Sequence, residues 1–479
     1  VSVPDAVVVG SGPNGLAAAV TLARAGLEVE VYEGANEPGG GCRTAELTLR
    51  GFRHDVCSAV HPLLAISPFF QSIDLEARGV RLQRPEIAFA HPLDDGSAGV
   101  VTGSVTDTAR RLGRDGRRYE RLFASTVERI EVVAESVLAP LLRLPSHPLA
   151  VARFAATAVL PASWLAEGFR TPRARALLSG AAAHSMQSLG APLTAGFGLF
   201  LTALAHVVGW PLVEGGSARI AAALVDELES LGGRVVVDHW VSDLRALPPA
   251  TLVMLDLSPR GVLELAAADL PPSWRRAFEG YRFGPGVCKI DWALEGPVPW
   301  RAPECRNAGT IHLGGTVEEI AASEAAVVKG RLPERPYCIV AQPAVVDSTR
   351  APQGRHTLWS YCHVPSGSSA DMTVQVAAQI ERFAPGFRDL VLAHNVTTAA
   401  EFERYDPNYV GGDINGGLAS VRQTLFRPTM RFDPYRLPLK GVYLCSASTP
   451  PGGGVHGMCG YWAARCALFD LHRGRARRS

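Results

Sequence analysis

The chain has 479 residues, 47% of them apolar, which allows a large core and, by length, two or three domains. Lysine plus arginine number 47 against 46 aspartate plus glutamate, so the formal net charge is only +1. That balance argues against a nucleic-acid partner, which needs a clustered basic surface; the basic cluster Arg473, Arg475, Arg477 and Arg478 reads as a solvated tail.

In chain order, Asp5 to Val9 is a β-branched run that predicts a strand. Asn14 to Ala25 has helical periodicity, with Gly26 placed to stop it. Leu27 to Tyr32 reads as a second strand, and strand–helix–strand implies a parallel sheet. From about Ser67 to Ala205 the pattern is mostly helical. Asp107 to Val137 segregates charged and apolar faces, and Ser146 to Phe169 is more apolar and interrupted by Pro161. Leu193 to Trp210 carries no charged side chain and is long enough to span a bilayer. Its internal Gly196, Gly198, Thr202 and His206, and the flanking Pro192 and Pro211, favour a buried helix or the wall of an apolar tunnel over a monotopic membrane contact.

Beyond the turn Glu214-Gly215-Gly216-Ser217, Ala218 to Leu231 is helical, and Arg234 to Val237 and Thr251 to Leu257 are strands. Gly286 to Leu294, Cys338 to Val346 and His356 to Val364 read as longer strands, and Thr373 to Phe383 as a helix. Val442 to Ser446 is a last strand and Gly457 to His472 a last helix. The fold class expected is α/β: a Rossmann-type nucleotide-binding domain interleaved with an α+β domain of mixed sheet and helices. The first would take residues 1–66, 206–270 and 405–479, and the second, for substrate, 67–205 and 271–404.

The strongest motif is Gly10-Ser11-Gly12-Pro13-Asn14-Gly15, a G-x-G-x-x-G between a strand and a helix. Gly10 permits the turn, Gly12 lets the backbone approach a pyrophosphate, and Gly15 lets helix and strand pack closely. The helix N-terminus adds free N–H groups and partial positive charge. Glu33, before Gly34, ends the next strand, where a carboxylate accepts from adenosine ribose hydroxyls and repels a 2′-phosphate. NAD or FAD therefore fits, and NADP is disfavoured.

Three features favour FAD. Pro38-Gly39-Gly40-Gly41-Cys42-Arg43-Thr44 offers amides and a guanidinium to a second set of phosphates or the flavin edge. Near the C-terminus, Ala447 leads into Pro451-Gly452-Gly453-Gly454-Val455-His456-Gly457, a glycine-rich loop ahead of a helix. That suits the flavin edge where negative charge grows on reduction. Glu214-Gly215-Gly216, with the helix and strand after it, brings Val241 toward the adenine.

On these residues the sequence resembles the phytoene desaturase-like flavoproteins, in the superfamily that also holds amine oxidases and Rab GDP-dissociation inhibitors. Within that group it is similar to the pyridine nucleotide-disulfide oxidoreductase domain-containing protein 2 type. That likeness rests on Cys57-Ser58-Ala59-Val60-His61-Pro62, Tyr281 to Gly286, Asp291-Trp292-Ala293-Leu294 and Gly411-Gly412-Asp413-Ile414. The resemblance implies non-covalent FAD, an apolar small-molecule substrate, and hydrogen transfer across carbon–carbon or carbon–nitrogen bonds. One departure is that Gly41 and Cys42 precede Arg43, where bacterial carotene desaturases run Gly-Gly into Arg.

A flavin carries the redox step, so no strong triad is expected, and no metal-spaced His/Cys cluster is visible. His456 and His61 are the candidate bases, each against a reading as a structural histidine. Trp359, Tyr361 and His363 alternate on one strand, so Trp359 and Tyr361 are candidates to line a substrate pocket. Cys42 and Cys459 lie in or beside the glycine loops, where covalent flavin attachment is a minor alternative. No second G-x-G-x-x-G follows a strand, which favours oxygen, a quinone or another acceptor over a pyridine nucleotide. A dehydrogenase or desaturase is the leading reading. A flavin-dependent isomerase or saturase, a lipid-escort protein on the same fold, and an amine oxidase with Tyr461 and Trp462 at the flavin are the alternatives.

The nine cysteines form no C-x-x-C pair and read as reduced thiols of a cytoplasmic protein, with peripheral membrane contact and a homodimer both compatible. The first strand begins too early to leave room for a signal peptide.

Overall fold

The computed structural model describes residues 3–140 and 143–476; of the basic tail, Arg477 and Arg478 lie outside them, as does the side chain of Arg475. Two sheets organise the chain. The first has five parallel strands in the spatial order Val442–Leu444, Leu252–Leu255, Ala6–Val9, Val29–Tyr32 and Arg234–Val236. Ala6–Val9 is buried throughout, as a central parallel strand covered on both faces must be. The first helix, Pro13–Arg24, packs against the last, Met458–Ala476, and against Ala218–Ser230. Pro13 pre-sets its first turn, and Gly26 leaves it with a φ of 82°. At the contact with the last helix, a side chain at Gly460 would lie 1.8 Å from the Asn14 carbonyl oxygen, so only glycine fits.

The second sheet has seven strands in the order Val391–Thr397, Gly286–Leu294, His356–Val364, Cys338–Ala341, Ala308–Leu313, Ile87–Pro92 and Ala98–Thr102. Its pairs are antiparallel except Ala308–Leu313 with Ile87–Pro92. The mixed α/β class is as expected. The strands at 87–92, 98–102, 308–313 and 391–397 correct the helical or unassigned reading of those segments. Three of the four are fully buried, so the polar/apolar alternation that marks a half-exposed strand is missing.

The amphipathic stretch at 107–137 is not one helix. It breaks into Val105–Leu112, Gly116–Glu128 and Ile130–Val137. Gly113 turns out at a φ of 58°, and the Asp115 carboxylate is held by the Arg170 and Thr171 N–H groups. The strand expected at 338–346 ends at Ala341, because Gln342 and Pro343 turn into a short 3-10 segment.

The apolar stretch forms the buried helix Thr194–Val207, packed on Pro172–Ala183. Its polar group His206 bonds Tyr119 at 2.7 Å and the Thr102 carbonyl at 2.8 Å. Among the described residues no helix is long and apolar enough to cross a membrane.

Candidate functional site

A cavity of about 630 Å³ lies between the carboxyl ends of the parallel sheet and one face of the seven-stranded sheet. Every parallel strand opens onto it: the cavity is lined by Gly10 after the first strand, Glu33 after the second, and His239, Asp256 and Ser446 after the other three. Ligands of open parallel sheets bind at those ends because the loops there diverge and leave a crevice.

The fingerprint forms the floor. A side chain at Gly15 would meet the Gly10 carbonyl oxygen at 2.1 Å, and one at Gly12 would meet Asp256 Oδ2 at 2.8 Å. The second glycine loop crosses directly above: Gly39 N–H donates to the Ser11 carbonyl at 3.1 Å, and a Cβ on Gly40 would lie 3.2 Å from Gly12 Cα. The two loops thus close on each other at Gly12 and Gly40 with no Cβ between them, leaving backbone as the surface there. Glu33 accepts from the Ser11 N–H at 2.9 Å, the Ser11 hydroxyl at 2.6 Å and the Ala35 N–H at 2.9 Å, which fixes its carboxylate at the rim.

Of the expected residues, Gly10, Ser11, Gly12, Pro13, Asn14, Glu33, Gly34, Gly40, Gly41, Arg43, Val241, Ala447, Gly454 and Val455 line this cavity, as do Trp359 and Tyr361. Arg43 reaches it with its guanidinium already engaged by the Glu37 carbonyl, by Tyr405 Oη at 3.1 Å and by Glu33 at 3.5 Å. It shapes the loop rather than reaching across it.

Other expected residues lie outside the cavity lining. His456 does not line the cavity: its Nε2 bonds the Gly452 carbonyl at 3.1 Å and its Nδ1 accepts from the Met458 N–H at 3.0 Å, so both nitrogens are spent on its own loop. Burial lowers its pKa to about 4. His61 is likewise buried away from the cavity, near Ser58 Oγ at 3.4 Å, with its pKa lowered to about 4 by burial. Thr44 donates to Asp55, and Gly15 donates to Asp256. Cys42, Thr44, Gly15 and Gly453 stand behind the cavity wall rather than in it. Cys42 and Cys459 are fully buried with their thiol pKa values pushed up by that burial, which leaves neither placed for covalent attachment.

Tyr461 and Trp462 are also elsewhere; the Trp462 indole N–H bonds the Leu138 carbonyl. Of the stretch 193–210, only Trp210 meets this cavity, and most of the helix Thr194–Val207 is buried in the core.

Several lining residues carried no sequence signal. Tyr32, His239 and Trp240 gather beside Gly34; the Tyr32 and His239 rings lie 4.8 Å apart, and a side chain on Gly34 would strike the Trp240 ring at 2.6 Å. The aromatics flanking Val241 were the available hint. Asp256 follows a buried strand, and its Oδ2 accepts from the Gly15 N–H at 2.8 Å, at the helix N-terminus itself. Burial raises its pKa to about 8, with the neighbouring acids Asp406 and Glu33 adding to the shift. The shift favours the protonated form, which presents no charge to an anion. Tyr405, which ends the helix Ala399–Tyr405, and Asp406 and Tyr409 just after it come from far along the chain, and Tyr405 Oη donates to the Gly40 carbonyl at 3.2 Å.

Residues 8–71 match the NAD(P)-binding Rossmann-like domain. The chain is 26% identical to pyridine nucleotide-disulfide oxidoreductase domain-containing protein 2 of Rattus norvegicus, over 98% of this chain and 94% of that one. It is 26% identical to the phytoene desaturase of Cercospora nicotianae, over 74% of this chain and 60% of that one. An oxidoreductase from Methanosarcina mazei has the same fold, with a TM-score of 0.64 at 16% identity over 96% of this chain and 99% of that one. The chain is thus homologous along nearly its whole length to pyridine nucleotide-disulfide oxidoreductase domain-containing protein 2, and shares homology with the phytoene desaturases.

Proposed function

We propose that this protein is an FAD-dependent oxidoreductase, a dehydrogenase or desaturase that removes hydride from an organic small molecule. The observation that supports it most is the convergence of five strand ends and two interlocked glycine loops on one cavity, with Glu33 at its rim. The residues fit the cofactor: Gly12 and Gly40 carry no Cβ where a pyrophosphate would approach, and burial favours the neutral form of the acid at the helix N-terminus. Gly10 to Asn14 would hold the pyrophosphate, Glu33 the ribose, Tyr32 and Trp240 to Val241 the adenine. Gly40, Gly41, Ala447, Gly454 and Val455 would border the flavin. When bound, FAD supplies the two-electron acceptor for the hydride.

The chain's own contribution is to orient and to exclude water. Trp359 and Tyr361, with ring centroids 5.1 Å apart and nearly perpendicular, wall the cavity from the substrate side. The division into a nucleotide domain (1–66, 206–270, 405–479) and a substrate domain (67–205, 271–404) accompanies this reading.

The test is the absorption spectrum of the purified protein before and after heat denaturation. Bands near roughly 375 and 450 nm that pass to the supernatant are the expected result for non-covalent flavin. A colourless protein that takes up no added FAD overturns the reading and favours a lipid-escort role.

A further inference from the structure

The inner wall of the cavity is more polar than an apolar substrate requires. Thr310, Ile339, Trp359 and Tyr361 lie on one face of the seven-stranded sheet: Thr310 pairs with Ala341, Ala341 with Trp359, and Ile339 with Tyr361. All four line the cavity, together with His184 and Trp210. Trp359 is 7% exposed and Thr310 1%, yet Trp359 Nε1 and Thr310 Oγ1 have no hydrogen-bond partner. A buried polar group left unpaired is destabilising, so two on one wall call for an occupant that satisfies them.

The chemistry of that wall narrows the occupant. An indole N–H donates only, so its partner is an acceptor. Tyr361, on the same strand face, adds a hydroxyl. No acid lines the inner wall among the described residues; Asp291, in register with Trp359 on the same sheet face, is fully buried and paired with Lys289. An ammonium would therefore lack a counter-charge. The nearby cations are already engaged, Lys289, in register with Tyr361, by Asp291, Arg43 by Glu33 and Tyr405, and Arg404 by Glu401, so a carboxylate would lack one too. His184 is bonded to His312 between their Nε2 atoms at 3.0 Å, and burial keeps both imidazoles neutral. Trp210 and Ile339 supply apolar surface around these groups.

We propose that the inner end of the cavity binds a neutral, oxygen-bearing organic molecule, a ketone, aldehyde or alcohol on an apolar skeleton, whose oxygen accepts from Trp359 Nε1 and Tyr361 Oη. This deepens the oxidoreductase reading above and rests on it for the placement of flavin and substrate. It excludes pure hydrocarbons and amines as the preferred occupants of this wall.

The test uses the full chain with its flavin content first measured from its own spectrum. Ligand-observed NMR titrations then compare acetophenone with α-methylstyrene, which exchanges the carbonyl oxygen for a methylidene group. The expected result is a Kd for acetophenone at least about tenfold lower, one hydrogen bond's worth of discrimination. Trp359→Phe and Tyr361→Phe each raise the acetophenone Kd by about tenfold and leave that of α-methylstyrene unchanged, which also shows that the variants are folded. Equal affinities, tighter binding of the hydrocarbon, or no saturable acetophenone binding on flavin-loaded protein overturns the inference alone. Protein that takes up no flavin overturns the oxidoreductase reading, whatever the probes do.

Discussion

Asp256 is the residue on which the nucleotide end turns. Its carboxyl lies under Gly12 and accepts from Gly15, where an ionised acid would oppose any phosphate. Its folded pKa, raised by burial to about 8, stands above the ordinary aspartate value. The sign follows: its contribution to stability is full below about pH 4 and is lost as pH rises through about 8. Asp256→Asn keeps an acceptor for the Gly15 N–H and carries no titrating proton. It should melt higher than wild type at pH 8.5, converge with it at pH 5, and retain flavin better at the higher pH. Calorimetry and flavin absorbance across that range check this; parallel melting curves would reject it. His456 makes the complementary case. Because both its nitrogens serve its own loop, His456→Ala should lower the melting temperature by the loss of two hydrogen bonds, roughly 1–3 kcal/mol. It should leave the pH dependence of any turnover unmoved, which a rate profile would show.

At the scale of elements, the strand–helix–strand at the start depends on contacts that allow no side chain. Gly15→Ala places a methyl 2.1 Å from the Gly10 carbonyl oxygen, against backbone that cannot yield cheaply. The expected cost is about 1–3 kcal/mol in urea unfolding, with loss of flavin retention. A second joint ties separate segments together. Arg350 donates to Asp55 at 2.6 Å and to the Arg53 carbonyl at 3.2 Å, while Asp55 accepts from the Ser217 N–H at 2.7 Å. The pair is fully buried. Burial opposes the Asp55 charge, but Arg350 and the Ser217 N–H outweigh it and hold its pKa below the ordinary value. Arg350→Met strands that carboxylate and should cost about 3–5 kcal/mol, read as a shift in the urea midpoint. Arg350→Met with Asp55→Asn should recover part of it, since the second change removes the orphaned charge.

Across the whole molecule, neutral imidazoles are a recurring internal feature. Burial lowers the pKa values of His61, His91, His206 and His456 to about 4, and those of His54 and His184 to about 3. Groups with depressed folded values contribute stability above the unfolded pKa of about 6.5 and lose it as pH falls through their folded values. Unfolding near pH 5 should therefore take up several protons, and the unfolding free energy should fall steeply from pH 6.5 to 4. Urea titrations at intervals of pH measure that slope. A flat profile would mean that these rings are solvated in solution.

The sequence by itself determined the local parts. The β-branched run, Gly10, Gly12, Gly15 and Gly26, and Glu33 mark a strand, a turn, a helix and a strand because each is a short-range backbone requirement, and the structure has them there. Trp359 and Tyr361 were legible as sharing a face because strand geometry alternates side chains. Tertiary structure decided what depends on partners far along the chain. The buried strands 87–92 and 308–313 have no alternation to betray them, and they pair only after some two hundred intervening residues have folded back. Whether a histidine faces a cavity or its own loop is set by hydrogen bonds that periodicity does not encode, as His456 and His61 show. Asp256 could be read as the end of a strand, but its place beneath Gly12 and Gly15 exists only because two parallel strands lie side by side.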